Sequence, residues 1–362
     1  MERIDTLVIG AGVIGLAIGR ALSRQRELCV LEQESRHGSH TSSRNSGVIH
    51  AGIYHPADFL KTRLCIAGRR LLYNYCEQHT IDHRRCGKLL VASSDDELDT
   101  LRRRQQLAAA NGIQLQWLDQ DILGEYEPAL AARAALLSAD SGIIDSDGLM
   151  RQLLADIEHQ GSHVTCRQQV TAVQRYQDGF VVTINNNDEI ACRQLVNAAG
   201  LGAHTLARQL APQHTPPLFY SKGQYFCYHG AAPFRHLVYP LPPADGNGLG
   251  IHATPDIAGT LRFGPDARYV ATPDYTSSEQ NKAAFVDAIR RYFPALDENR
   301  LQADYCGIRP RLHAAGEPAR DFCIQWPADH GVAGLVQLFG MESPGLTASL
   351  AIGEYVADRM GR

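Results

Sequence analysis

The opening thirty-five residues constrain this chain more than any other stretch. "IDTLVIGAGVIGLAIGRALSRQRELCVLEQE" reads as strand, turn, helix and strand. Residues 4–9 form a short run rich in Ile, Leu and Val, the composition of a parallel strand buried on both faces. Gly10, Gly12 and Gly15 follow in G-x-G-x-x-G spacing. Val13, Leu16, Ala17, Ala21 and Leu22 then mark a helix reaching about Arg24, and "LCVLEQE" gives a second strand ending at Glu32. Gly10 permits the tight turn, Gly12 lets backbone approach a pyrophosphate, and Gly15 lets helix and strand pack closely. The first helical turn, with Val13 and Ile14, offers amide donors and partial positive charge to phosphate. Glu32 lies twenty residues beyond Gly12, where an acid meets an adenosine ribose, and Gln33 is beside it. The stretch predicts a dinucleotide site. Its place at the front of the chain favours FAD over NAD, because FAD sites draw on distant segments; further small-residue patches should follow.

They do. "LVNAAGLGAHTLARQL" is a strand running into Ala198, Ala199 and Gly200 and then a helix. The stretch before it, which includes Val170, reads as three strands with turns at 177–179 and 185–188. Near the C-terminus, "GLVQLFGMESPGLTASLAIGEYVADRM" is a strand, a turn with Gly340, Pro344 and Gly345, and a helix from about Thr347. Again a helix N-terminus is aimed at something electron-rich.

Composition narrows the function classes. A chain of 362 residues exceeds the size at which one core keeps growing, so two lobes are expected. The net charge of −4 gives no electrostatic case for nucleic acid. The nine cysteines are scattered without a C-x-x-C pair, which argues against zinc or a thioredoxin motif and for reduced thiols in the cytoplasm. No apolar run approaches the roughly 20 residues of a membrane span, and a strand begins too near Met1 for a leader. The expectation is a cytoplasmic protein, with peripheral contact at the inner face of a membrane left open.

One stretch fits none of these elements. "SRNSGVIHAGIY", Ser43 to Tyr54, is too polar for a core strand and too apolar for an exposed loop. It resembles, with "KGQYF", "YPLP", "GIRPRL" and "ESPGLTASLAIG" in the same order, the FAD-dependent oxidoreductases of the D-amino-acid oxidase superfamily. Within it the likeness is to the L-2-hydroxyglutarate dehydrogenase/oxidase family. "TSSRNSGVIHAG" also looks like FAD-dependent glycerol-3-phosphate dehydrogenases, which favours hydroxyl over amine oxidation. The chain departs from the family in being short and in carrying Gln224 where an acid is expected.

The resemblance implies roles. Thr41, Ser42, Ser43 and Arg44 would bind phosphate and ribitol oxygens. Asn45, Ser46 and Gly47 would pass the isoalloxazine edge, with His50 beside the ring and Tyr54 toward substrate. Gly307, Gly340, Pro344, Gly345, Leu346 and Thr347 would complete the flavin site. The implied fold is α/β, α+β overall: a Rossmann-like FAD-binding lobe (1–75, 145–215, 305–362) with an inserted, mostly antiparallel substrate lobe (76–144, 216–304). Short Pro- and Gly-punctuated strands in the second set agree; the Arg runs of its two amphipathic helices read as solvated faces.

The chemistry then needs a cation for a substrate carboxylate, and Arg309 is the candidate because guanidinium matches carboxylate with two parallel hydrogen bonds. It needs a base for the hydroxyl proton while hydride leaves for flavin N5: His50 first, then His252. Tyr239 and Lys222 are second candidates. Arg311 is placed on the opposite strand face, in a structural role. The reading is FAD-dependent oxidation of a small 2-hydroxy acid, with oxygen or a quinone as acceptor and no metal. The competitors are an amine or amino-acid oxidase of the same fold and a non-catalytic nucleotide sensor.

Overall fold

A computed structural model describes residues 2–241 and 250–361. Pro242 of "YPLP" and residues 248–249 before Ile251 lie outside them. Two large sheets organise the described residues. The first has eight strands, and its parallel centre runs His163–Thr165, Leu28–Leu31, Glu2–Ile9, Asp188–Asn197 and Leu335–Phe339. An antiparallel hairpin, Val170–Tyr176 and Gly179–Ile184, extends it, as the turns at 177–179 and 185–188 predict. The N-terminal strand is sealed from water at Leu7 and Val8 by neighbours on both faces. The helix Val13–Ser23 is buried almost all round, because the C-terminal helix Gly345–Met360 and helix Ser146–His159 flank it in one core. Gly353 lets the C-terminal helix approach closely: a Cβ there would collide with the Ala17 carbonyl.

The second sheet has nine strands and is antiparallel except where Leu237–Pro240 runs alongside Lys88–Ala92. Its core is aromatic: Phe226, Phe263, Phe285 and Tyr292 are fully buried, and Lys282–Arg290 packs over them. Its long strand Leu301–Arg311 pairs with Phe219–Tyr228, setting Gly307 opposite Gly223 and Arg309 opposite Ser221. Residues 305–311, given to the cofactor lobe on sequence grounds, are therefore hydrogen-bonded into this second sheet. No described helix is long and apolar enough to cross a membrane.

Candidate active site

A cavity of about 1070 Å³ lies where the segments meet, at the top of the roughly 300–1,000 Å³ range of small-molecule sites. Gly12, His50, Gly200 and Gly345, far apart along the chain, all line it.

Its nucleotide end is built by close backbone approach. Gly10 takes φ +100°, and a Cβ there would sit 2.7 Å from the Ala198 carbonyl; only glycine meets both demands. Gly15 stands behind it, where a Cβ would strike the Gly10 carbonyl. No acid occupies the first turn of the following helix, and no capping side chain satisfies its N-terminus from Gly12; Ser42 Oγ accepts the Val13 amide at 3.0 Å. Glu32 accepts the Ala11 and Glu34 amides, at 2.9 and 3.0 Å, so its carboxylate is held in place beside the turn. Gln33, Val170, Ala198 and Ala199 line the same end.

The middle is a seam between residues 41–47 and the strand Leu301–Arg311. Thr41 Oγ1 donates to the Ile308 carbonyl at 3.1 Å, Tyr305 Oη to the Asn45 carbonyl at 2.6 Å, and Arg44 to the Cys306 carbonyl at 3.4 Å. Gly307 makes this possible, since a Cβ would run into the Arg44 carbonyl. Asn45 shapes the turn by donating to Ser42 O and accepting the Gly47 amide.

At the far end the cavity is lined by His50, Tyr54, Arg104, Tyr225, Tyr239, His252 and Arg309. Thr347 Oγ1 accepts the His50 amide at 3.0 Å and donates to Val48 O at 3.2 Å, fixing the backbone under the imidazole. His50 Nδ1 is 3.1 Å from Lys88 Nζ, and Ser343 Oγ lies 3.4 Å from Nε2. Burial first, then Lys88, pushes the His50 pKa well below its ordinary value. His252 stacks on Tyr239 at 3.5 Å between centroids and is pushed down to about 3 by burial, with Lys88 and Arg309 adding repulsion. It stays neutral, and its ring is a wall of the cavity. Both Arg309 Nη atoms donate to the Asp266 carbonyl at 3.3 Å. Neither Arg309 nor Arg104 has a carboxylate partner among the described residues.

Several candidates fall elsewhere. Lys222 is buried and turned away, its ammonium held by Asp274 and the Thr276 carbonyl, both at 2.6 Å. Alternation along the strand sends Gly223 and Tyr225 into the cavity and Lys222 and Gln224 out of it. Gln224, where an acid was expected, exchanges hydrogen bonds with Ser278, so that departure does not touch the cavity. Ser43 is exposed and bonds to His40 O. Gly47 and Gly340 serve turns at φ +62° and +66°, and the Thr347 hydroxyl is spent on His50 and Val48. Arg311 does line the cavity, because residues two apart on a strand face the same way; it pairs with Glu342 at 3.3 Å.

Among the lining or supporting groups that were not anticipated are Lys88, Arg104 and Tyr225. Lys88 left a signal, a lysine opening the otherwise apolar "KLLVA". Arg104 hid in an arginine run whose neighbours Arg102 and Arg103 are indeed solvated.

The cavity's glycine cradle, the helix start that Ser42 alone caps and the seam along 41–47 fit a long dinucleotide. Arg44 Nε, buried with no partner, is a donor left over for it. Fold and site together define a flavin-dependent oxidoreductase, with a cavity walled by residues of both sheets. The chain belongs to the FAD-dependent oxidoreductase (DAO) family, whose family model matches residues 5–359. It is 39% identical to a mitochondrial L-2-hydroxyglutarate dehydrogenase of Arabidopsis thaliana, over all of this chain and 84% of that one. It is 31% identical to L-2-hydroxyglutarate dehydrogenase of Escherichia coli K12, over 73% and 64%. A structure of L-alpha-glycerophosphate oxidase from Mycoplasma pneumoniae with FAD bound superposes with TM-score 0.90 at 26% identity, over 99% and 95%. FAD is the cofactor of this oxidoreductase.

Proposed function

We propose that the protein oxidises the 2-hydroxyl of a small dicarboxylic acid, L-2-hydroxyglutarate, to the 2-oxo acid. The observation that carries this is the pairing, in one cavity, of a neutral histidine with two guanidiniums, Arg309 and Arg104, that have no carboxylate partner among the described residues. Half-buried guanidiniums lining a cavity favour anionic ligands, and two of them suit two carboxylates. Relatives named for this substrate support the choice.

In this reading residues 1–75, 145–215 and 305–362 hold the cofactor, and 76–144 with 216–304 cover the substrate. Arg309 grips the C1 carboxylate, Arg104 the distal one, and Tyr54 and Tyr239 wall the chain between them. His50 Nε2 takes the hydroxyl proton. FAD, which the residues lining the nucleotide end of the cavity would hold, would supply the two-electron acceptor for the C2 hydrogen. The Leu346 amide, at the start of a helix without a side-chain cap, would face the charge that then accumulates; the Gly345 amide is donated to the Glu342 carbonyl at 2.6 Å. His252, neutral and stacked on Tyr239, shapes the pocket.

The test is anaerobic titration of the purified holoenzyme with 2-hydroxy acids and amines, following flavin absorbance. Bleaching by L-2-hydroxyglutarate, lost or strongly weakened in Arg309→Ala, is expected. Bleaching by glycine or sarcosine with hydroxy acids inert would reassign the enzyme to amine oxidation.

A further inference from the structure

Lys88 opens the strand Lys88–Ala92 and is 0% exposed. A lysine so placed normally has a carboxylate partner, yet among the described residues none lies within ion-pair reach of Nζ. What surrounds it is imidazole, phenol and thiol. His50 and Tyr54 approach from the segment before helix Leu60–His79, Cys65 from that helix, and Cys86 from just ahead of its own strand. Tyr239 approaches from the neighbouring strand and His252 from just ahead of the strand Ala253–Pro255. Nζ lies 3.1 Å from His50 Nδ1, 4.1 Å from the Tyr239 ring centre and 5.3 Å from that of Tyr54.

The direction of the Lys88–His50 hydrogen bond decides what His50 can do. An ammonium only donates. Charged Lys88 would therefore make Nδ1 an acceptor and leave the imidazole proton on Nε2, where it blocks the base. A neutral amine has a lone pair beside its N–H donors, so it can accept. It keeps the proton on Nδ1 and turns the Nε2 lone pair toward the cavity, where Ser343 Oγ waits at 3.4 Å. Burial without a counter-ion favours the neutral amine.

We propose that Lys88 and His50 form a proton-sharing pair: the uncharged Lys88 amine holds His50 in its Nδ1–H form and accepts that proton as Nε2 takes one from the substrate hydroxyl. The balance is simple. One O–H bond breaks at the substrate and one N–H forms at Nε2. One N–H breaks at Nδ1 and one forms at Nζ, so the imidazole ends neutral. The positive charge settles on Lys88, over the faces of Tyr239 and Tyr54, where ring quadrupoles stabilise a cation. Lys88 is a positioning residue here, since it reaches the substrate only through His50. Its burial brings the pKa down to about 7, so the base form of the pair is present above that pH and lost below it.

The catalytic half of this rests on the function proposed above; the tautomer does not. The experiment is therefore done first without substrate, on holoenzyme carrying ¹⁵N-histidine and ¹³Cε-lysine, with His50→Gln and Lys88→Met assigning the signals. At pH 8 His50 should carry its proton on Nδ1, and the Lys88 Cε signal should titrate near pH 7. A proton on Nε2 at pH 8, or a Lys88 midpoint near the usual value of about 10.4, overturns the pair whatever the substrate. If no hydroxy acid bleaches the flavin, the function fails while this result stands. With L-2-hydroxyglutarate, Lys88→Met should slow flavin reduction about 10²–10⁴-fold, the range for general bases and misheld tautomers, with little change in substrate affinity. Lys88→Arg keeps a charge that cannot be given up, and should be no better. A structural role for the charge predicts rescue by arginine, and that rescue would overturn the proposal.

Discussion

At the scale of single residues, the proposed function makes Arg104 the group that would set substrate size. Its Nη1 reaches the Tyr54 carbonyl at 3.5 Å, a weak contact, and the side chain lines the cavity. A hydrogen bond to a charged partner contributes about 1.5–3 kcal/mol. Arg104→Leu should lower kcat/KM for L-2-hydroxyglutarate roughly 10–150-fold on that basis. A 2-hydroxy monocarboxylate of equal length should be nearly unaffected, so the ratio of the two is the measurement. Equal losses on both substrates would move Arg104 out of the distal carboxylate site. The pH dependence also belongs here. Flavin reduction should fall as pH drops through about 7, where Lys88 takes a proton and His50 loses its base form. In Lys88→Met that break should shift down toward the titration of His50 itself, which burial holds below the ordinary histidine value. A pH profile unchanged by the substitution would disconnect Lys88 from His50.

At the scale of elements, the seam between 41–47 and the strand Leu301–Arg311 positions the redox end of the cavity. Gly307→Ala puts a methyl into the Arg44 carbonyl, and backbone cannot yield as a flexible side chain does. Overpacking of this kind costs about 1–3 kcal/mol. Because the displaced segment lines the cavity, FAD affinity should fall about tenfold or more, measured by flavin release on dilution. Gly124→Ala, in the helix Gln120–Tyr126, is the control, since nothing lies within 4 Å of a Cβ there and its φ is ordinary; equal weakening by both would deny the seam its role. The contrast between local and distant information runs through these elements. The turn at Gly10, the helix Val13–Ser23 and the hairpin at 177–179 follow from neighbours in sequence, and the sequence pattern shows them. Lys88 meets His50 only after a strand from each side has found its sheet, and no local pattern carries that meeting. Arg311 was legible in principle, because a period of two puts it beside Arg309. Lys222 failed the same test: its odd–even position relative to Gly223 depends on which face the sheet turns inward, which one strand alone does not reveal.

At the scale of the whole molecule, the cavity has walls from both sheets, so FAD should bind the two into one unfolding unit. The strand Leu301–Arg311 belongs to the second sheet, yet it is hydrogen-bonded to residues 41–45 beside the first. Loss of either sheet destroys the cavity and releases the flavin. The chain carries a reporter for each side among its two tryptophans. Trp117 lies in the strand Gln116–Asp119 of the second sheet, and Trp326 directly follows the strand Cys323–Gln325 of the first, with its ring near Tyr355 of the C-terminal helix. In holoenzyme with Trp117→Phe or Trp326→Phe, the remaining tryptophan and the released flavin fluorescence should report one common midpoint in urea, the mark of a single cooperative transition. Free FAD at about 100 times its Kd adds about 2.7 kcal/mol to the folded state, and both tryptophan midpoints should rise together with it. If only the Trp326 midpoint rises with FAD while Trp117 stays fixed, the second sheet contributes nothing to holding the cofactor, and the cavity belongs to the first sheet alone.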